Sequence, residues 1–97
     1  MSHFMLTVYK YAVAPNLETI DLAIPGGGPI ISAGVDPSGD VCVWAMVDTD
    51  EPDEKVRIIC VGTGWPLDAL MDEEANGLNF IGTVKTGIYM WHLFQEV

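Results

Sequence analysis

Short apolar runs alternate with clusters of turn-forming residues along the whole chain, a spacing typical of an all-β domain. The apolar runs are rich in Val, Ile, Tyr and Trp, which favour strands. The pattern predicts seven strands, at residues 5–13, 19–24, 30–35, 41–47, 55–61, 80–85 and 88–96. The fourth run is apolar throughout, which predicts a buried strand at the centre of a sheet.

One segment has helical rather than strand periodicity. Leu67, Leu70 and Met71 fall on one face at helical spacing, and Asn76-Gly77 follows as a C-cap, so a short helix is predicted near residues 67–75. A tight Thr86-Gly87 turn is predicted to join the last two strands. The predicted fold class is therefore mainly β, with about seven short antiparallel strands in a small sandwich or curved barrel and one helix. Residues 1–97 are expected to form a single domain.

Charge changes this picture more than any motif does. The chain has 14 Asp and Glu against four Lys and Arg, for a net charge of −10. No Lys or Arg lies between Tyr11 and Glu54, and a second acidic group comprises Asp68, Asp72, Glu73 and Glu74. Such a field repels nucleic acid and attracts proteins that bind nucleic acid. The alternative is that the charge only maintains solubility.

The remaining composition predicts a cytoplasmic protein. Cys42 and Cys60 lie inside apolar runs, so buried free thiols are expected rather than a disulfide framework. No segment has the roughly 18 apolar residues needed to span a bilayer, and residues 1–5 lack the regions of a signal peptide. Anionic lipid would also repel this chain, which argues against membrane binding.

Several sequence motifs follow one another in an order that matches a known family. They are Val8-Tyr9-Lys10-Tyr11, Val43-Trp44-Ala45-Met46-Val47-Asp48, Val61-Gly62-Thr63-Gly64 with Pro66, Phe80-Ile81-Gly82-Thr83 and His92-Leu93-Phe94-Gln95-Glu96-Val97. In this respect the chain resembles a family of small tailed-phage proteins, with departures at Phe80 and Gln95. The resemblance implies no catalytic residues. It implies a phage accessory protein that acts in the host cytoplasm by binding a host protein, similar as a class to DNA-mimicking inhibitors of restriction and CRISPR systems.

The acidic loop, residues 48–54, is the leading candidate site. DNA carries one charge per ~1.7 Å of duplex axis, and carboxylates at comparable density can occupy a basic groove built for DNA. The main predicted contacts are Asp48, Asp50, Glu51, Asp53 and Glu54, and further candidates are Asp36, Asp40, Asp72, Glu73 and Glu74. Trp65, in a Gly-Thr-Gly-Trp-Pro turn, is expected to be exposed and to anchor a partner or a second copy of the chain, unless it folds back over the sheet.

Other site chemistries fit the sequence poorly. Asp48 and Asp50 match the first two ligand positions of a calcium loop, but Pro52 and Asp53 fall where a ligand and a glycine are required. The run at residues 25–29 lacks the Lys-Ser/Thr ending of a phosphate loop. The two histidines have no zinc-ligand spacing, and no nucleophile, base and orienting group occur together. No metal, no cofactor and no enzymatic activity are therefore predicted.

Two function hypotheses remain. The first is an anti-CRISPR-like inhibitor that binds a host DNA-binding complex and blocks its DNA or PAM site by charge mimicry, without binding nucleic acid itself. The second is an interaction or assembly module without DNA mimicry, of which a homodimer through a sheet edge or through Trp65 is one form.

Overall fold

A computed structural model describes residues 5–15, 19–67, 71 and 76–97. Seven strands occur in these residues: β1 (Leu6–Ala12), β2 (Ile20–Pro25), β3 (Ile30–Val35), β4 (Val41–Asp48), β5 (Asp53–Gly62), β6 (Leu78–Thr86) and β7 (Tyr89–Glu96). The predicted mainly β fold of seven antiparallel strands is confirmed. Apart from Leu67 and Met71, the helix predicted at 67–75 lies outside the described residues, as do Asp68, Asp72, Glu73 and Glu74.

The strands form two antiparallel sheets that share one core. One sheet has three strands in the order β1-β4-β3, and the other has four in the order β2-β5-β7-β6. The chain crosses between the sheets three times, after β1, after β2 and after β4. Of the two architectures predicted, the structure is the sandwich, because the strands are hydrogen-bonded in two separate ladders. Among the described residues, no helix has the length and hydropathy required to cross a membrane.

The core is built by alternate residues of the two longest apolar strands. Val43 and Ala45 of β4 are fully buried, as are Ile58 and Cys60 of β5, and Leu93 of β7 joins the same cluster. The predicted central position of β4 is confirmed, since it lies between β1 and β3. Strand alternation places every second side chain of these strands inside, which is why the valine-rich sequence folds as two facing sheets.

Trp44 does not belong to this core, although its apolar surroundings in the sequence indicate a core residue. It alternates with Val43 and Ala45 along β4 and therefore points away from the second sheet. Its ring lies against Gly34 of β3, where a Cβ would come within 3.3 Å of the indole. The absence of a side chain at Gly34 lets this large ring lie half-buried on the outer face.

Two local features complete the sheets. Ala33 of β3 faces Gly82 of β6, where an added Cβ would lie 3.4 Å from that of Ala33, so small residues let the two sheets approach closely.

The last hairpin turns one residue later than predicted, at Gly87 and Ile88, because β6 continues to Thr86. Gly87 has a φ of 60°, a conformation that glycine adopts without strain.

An ion pair ties β1 to the β3–β4 turn. Lys10 Nζ donates to Asp36 Oδ2 at 2.7 Å, and the backbone N–H groups of Ser38 and Asp40 donate to Asp36 Oδ1 at 3.0 and 2.9 Å. The bond from Lys10, together with these backbone donors, lowers the pKa of Asp36 below its usual value of 3.8. The same bond raises the pKa of Lys10 above 10.5.

The Asp36 carboxylate is therefore expected to stabilise the fold only while it is ionised. Its lowered pKa contributes stability above the unfolded pKa, and this contribution is lost as pH falls through the folded pKa. Asp36→Asn keeps an acceptor for the turn but removes the charge, so it should lower the free energy of unfolding at about pH 7.

The difference between Asp36→Asn and the parent should shrink as pH is lowered from 3.8 through the lowered folded-state pKa of Asp36, because the parent is then itself protonated. Urea unfolding followed by tryptophan fluorescence at a series of pH values measures this difference. Asp40→Asn, at an exposed position of the same turn, is the control. A difference that stays constant as pH falls would contradict the role given to the charge.

Candidate functional site

The acidic loop begins at the last residue of β4 and ends in the first residues of β5. The side chains of Asp50, Glu51, Asp53 and Glu54 are exposed, whereas Asp48 is half-buried. Within the described residues, none of the four exposed carboxylates forms an ion pair. The five residues predicted as the main contact are thus adjacent at one end of the sandwich, with four of them facing solvent.

On one side, the loop is attached to the backbone that leads into β1. Thr49 N donates to Met5 O at 2.9 Å, and Met5 N donates to Asp48 Oδ1 at 3.3 Å. The same Asp48 oxygen accepts the N–H of Asp50 at 3.0 Å. Asp48 therefore fixes the loop from within, which leaves the outer carboxylates free to make other contacts.

On the other side, the loop rests on the three-glycine run after β2. Gly26 N donates to Pro52 O at 2.9 Å. A Cβ on Gly26 would lie 3.4 Å from Glu51 Cβ, and one on Gly27 would lie 2.8 Å from a carboxylate oxygen of Glu54. Both glycines have positive φ, at 64° and 80°. The glycine run, which has some likeness to a phosphate loop, instead leaves room for the side chains of Glu51 and Glu54. We call this run the glycine support.

The surface next to the loop carries charges of both signs. Arg57 Nε donates to Asp21 Oδ1 at 3.1 Å across β5 and β2. A shallow cavity of about 330 Å³ lies beside this pair and is lined by Asp21, Leu22, Ala23, Asp53, Glu54 and Lys55. Asp53 and Glu54 thus form part of a groove wall, with Lys55 as the basic residue on it.

The other described candidate acids are not part of this group. Asp36 and Asp40 precede β4, whereas the acidic loop follows it, so eight strand residues, or about 24 Å, separate the two sets. Asp36 is only 8% exposed, and both of its oxygens are bonded within the protein. Asp40 is exposed. The predicted acids therefore do not form one continuous footprint on the described surface.

Trp65 is 37% exposed and folds back over the end of the four-stranded sheet. Its ring meets Trp91 edge-on, with centroids 5.5 Å apart and an interplanar angle of 76°. Tyr89 stacks on the same Trp91 ring at 5.7 Å and 24°. Sequence reasoning missed Tyr89 and Trp91, although their two-residue spacing on a strand places them on one face.

His92 is held between two threonine hydroxyls. Its Nε2 lies 2.7 Å from Thr63 Oγ1 and its Nδ1 lies 3.1 Å from Thr83 Oγ1.

Burial raises the pKa of Cys60 to about 11 and also raises that of Cys42, so both thiols stay protonated at neutral pH. Across residues 5–15, 19–67, 71 and 76–97, no three His, Cys, Asp or Glu side chains are placed to hold a metal ion.

The glycine support can be tested without changing any charge. Gly27→Ala and Gly39→Ala both place a side chain at a strongly positive φ, so each should lower the free energy of unfolding by about 1–2 kcal/mol. Only Gly27→Ala should also displace a carboxylate, since nothing lies within 4 Å of a Cβ on Gly39.

Urea unfolding measures the stability of the two variants, and the carboxyl resonances of Glu54 in NMR spectra measure the displacement. Gly27→Ala should shift these resonances, and Gly39→Ala should leave them unchanged. Unchanged Glu54 signals in a folded Gly27→Ala protein would contradict the packing of Glu54 on the glycine run.

Comparison with known proteins places the chain in a family. No curated protein and no solved structure matches it. Residues 5–97 match a family model described as Domain of unknown function (DUF7352), a range that includes both sheets and the acidic loop. The chain therefore belongs to the DUF7352 family.

Proposed function

We propose that this protein is a small acidic phage inhibitor that binds a host DNA-binding complex and occupies its basic DNA groove by charge mimicry. The observation that supports this function is the acidic loop. Four exposed carboxylates follow one another there on a backbone that is hydrogen-bonded to Met5 on one side and to Gly26 on the other. In this proposal the protein acts by binding another protein and not as an enzyme.

Fixing the loop matters for affinity. A loop that must be ordered on binding loses part of its interaction energy to conformational entropy, whereas a loop already held in place does not. Because Asp48 and the glycine run supply this order internally, the carboxylates of Asp50 and Glu51 can meet a partner without a large rearrangement.

The density of charge favours a groove built for a nucleic acid backbone. Duplex DNA carries one charge per ~1.7 Å of axis, and a run of exposed carboxylates offers the cations of such a groove a dense series of acceptors. Asp53 and Glu54 begin the extended strand β5, and Glu51 and Asp50 continue the acidic run into the loop. Arginines of the groove would donate charge-assisted hydrogen bonds to these carboxylates.

A CRISPR effector is the concrete target we infer, since it reads a short DNA motif through arginines in a groove that it cannot do without. The similarity to small tailed-phage proteins supports a target inside the host cytoplasm. Occupation of the groove would exclude DNA by competition, so the inhibitor should act before DNA is bound and should itself have no affinity for DNA.

The test is a DNA-binding assay with a purified, guide-loaded effector. Protein added before DNA should prevent the complex from forming, and protein added afterwards should have little effect. Replacing Asp50, Glu51 and Asp53 together by Lys should weaken effector binding and inhibition in parallel, by at least about tenfold, because three attractive contacts become repulsive.

The matched control replaces Asp72, Glu73 and Glu74 by Lys, which changes the net charge by the same six units. It separates the acidic loop from the overall charge of the protein. Equal weakening by both variants would contradict the acidic loop as the principal contact. Full inhibition by the loop variant would exclude the proposed mimicry.

A self-associating module is the second candidate, and a different observation supports it. On the outer face of the three-stranded sheet, Leu6, Val8 and Met46 are 58, 50 and 40% exposed. Val8 lies directly across from Met46, and β1 is an edge strand. A second copy that covers this apolar face would bury side chains that are exposed in the single chain.

Light scattering at about 50 mM and about 500 mM salt tests this second function. A dimer formed through the apolar face should persist at both salt concentrations, because burial of apolar area is little affected by screening. Val8→Asp should convert it to monomers, with the exposed Thr7→Asp on the same strand as a charge-matched control. A monomer under all conditions would exclude this function.

A further inference from the structure

The end of the sandwich opposite the acidic loop carries an aromatic cleft. It is bounded by the end of β5 and by the β6–β7 turn, and its volume is about 370 Å³. The residues that line the cleft include Trp65, Ile88, Tyr89 and Trp91, above Gly62. β5 runs from Asp53 to Gly62, so about 30 Å of strand separates this aromatic cleft from the acidic loop.

The rings of the aromatic cleft are arranged as walls. Trp65 stands nearly perpendicular to Trp91, and Tyr89 lies nearly parallel to it. All three aromatic residues line the cleft, and the π-face of an aromatic ring attracts organic cations.

The walls are fixed before any ligand arrives. Trp91 Nε1 donates to Thr86 Oγ1 at 2.6 Å. A Cβ on Gly62 would lie 3.0 Å from the Trp65 ring and 3.3 Å from the Trp91 ring, so only glycine allows both indoles to rest on this backbone. A cation entering the cleft would therefore have little ordering cost to overcome.

Exposure and charge indicate what kind of group would enter. Tyr89 is 60% exposed and Ile88 is 90% exposed, so the cleft is open to a partner. Asp40 lines a neighbouring cavity of about 360 Å³ that also contacts Trp91 and Thr86. A net charge of −10 favours a cationic ligand over an anionic one.

We propose that the aromatic cleft binds an arginine side chain of a basic protein partner. The planar guanidinium stacks on the indole and phenol faces, and its methylene stem contacts Ile88. Lysine fits less well because its ammonium is compact and strongly hydrated. Lys85 of β6, which pairs with Met90 of β7, is a cation at this end of the sandwich that would repel the ligand. The inference rests on the proposed function only in taking the partner to be basic.

The experiment is an NMR titration with two peptides of equal charge, one with three arginines separated by glycines and the other with three lysines at the same positions. The arginine peptide should shift the indole N–H resonances of Trp65 and Trp91 and should bind at least about threefold more tightly than the lysine peptide. Trp44, on the opposite outer face, is the internal control and should not shift.

Two loss-of-ring variants and one control variant complete the test. Trp65→Ala should abolish the preference for arginine, and Tyr89→Ser, at a largely exposed position, provides a second loss-of-ring variant should the first not fold. Tyr9→Ser removes an exposed tyrosine from the other sheet and should keep the preference.

The loop variant with Lys at positions 50, 51 and 53 should also keep the preference for arginine, even if it no longer inhibits the effector, so the two proposals can fail separately. Equal binding of the two peptides would overturn the arginine site. Tighter binding of a trimethyl-lysine peptide, or a preference for arginine that survives loss of both Trp65 and Tyr89, would also overturn it.

Discussion

The apolar cluster shared by β4 and β5 is the constraint on which the rest of the structure depends. A chain of this size with a net charge of −10 is destabilised by its own repulsion, and burial of Val43, Ala45, Ile58 and their neighbours has to outweigh that cost. The two strands follow each other in the sequence but lie in different sheets. The short connection between them must therefore sit at an end of the sandwich, and this connection carries the acidic loop.

Placing the acids at the end of the sandwich has two physical effects. It separates them from Asp36 and Asp40 by the length of β4, which reduces repulsion between the groups. It also places them beside the glycine run after β2, where the absence of side chains leaves room for Glu51 and Glu54. Backbone hydrogen bonds from Met5 and Gly26 then hold the charges in position without using the exposed carboxylates.

Sequence patterns predicted the strands well because each strand depends on local alternation, as β3 shows with the predicted limits of 30–35. Adjacency in the sequence likewise predicted that residues 48–54 form one acidic group. The pattern could not reveal that Asp36 is buried, because its partner Lys10 lies 26 residues away. It also missed the aromatic cleft, since the meeting of Trp65 with Trp91 depends on the pairing of β5 with β7.

The edge-to-face contact of Trp65 with Trp91 also has a spectroscopic consequence. Two indole chromophores with centroids 5.5 Å apart have coupled electronic transitions, so this end of the protein contributes a circular dichroism band of its own on top of the weak β-sheet signal. The band depends on the mutual orientation of the rings and not on the backbone. Loss of that band at a lower temperature than the sheet signal would reveal that the two ends of the sandwich open separately.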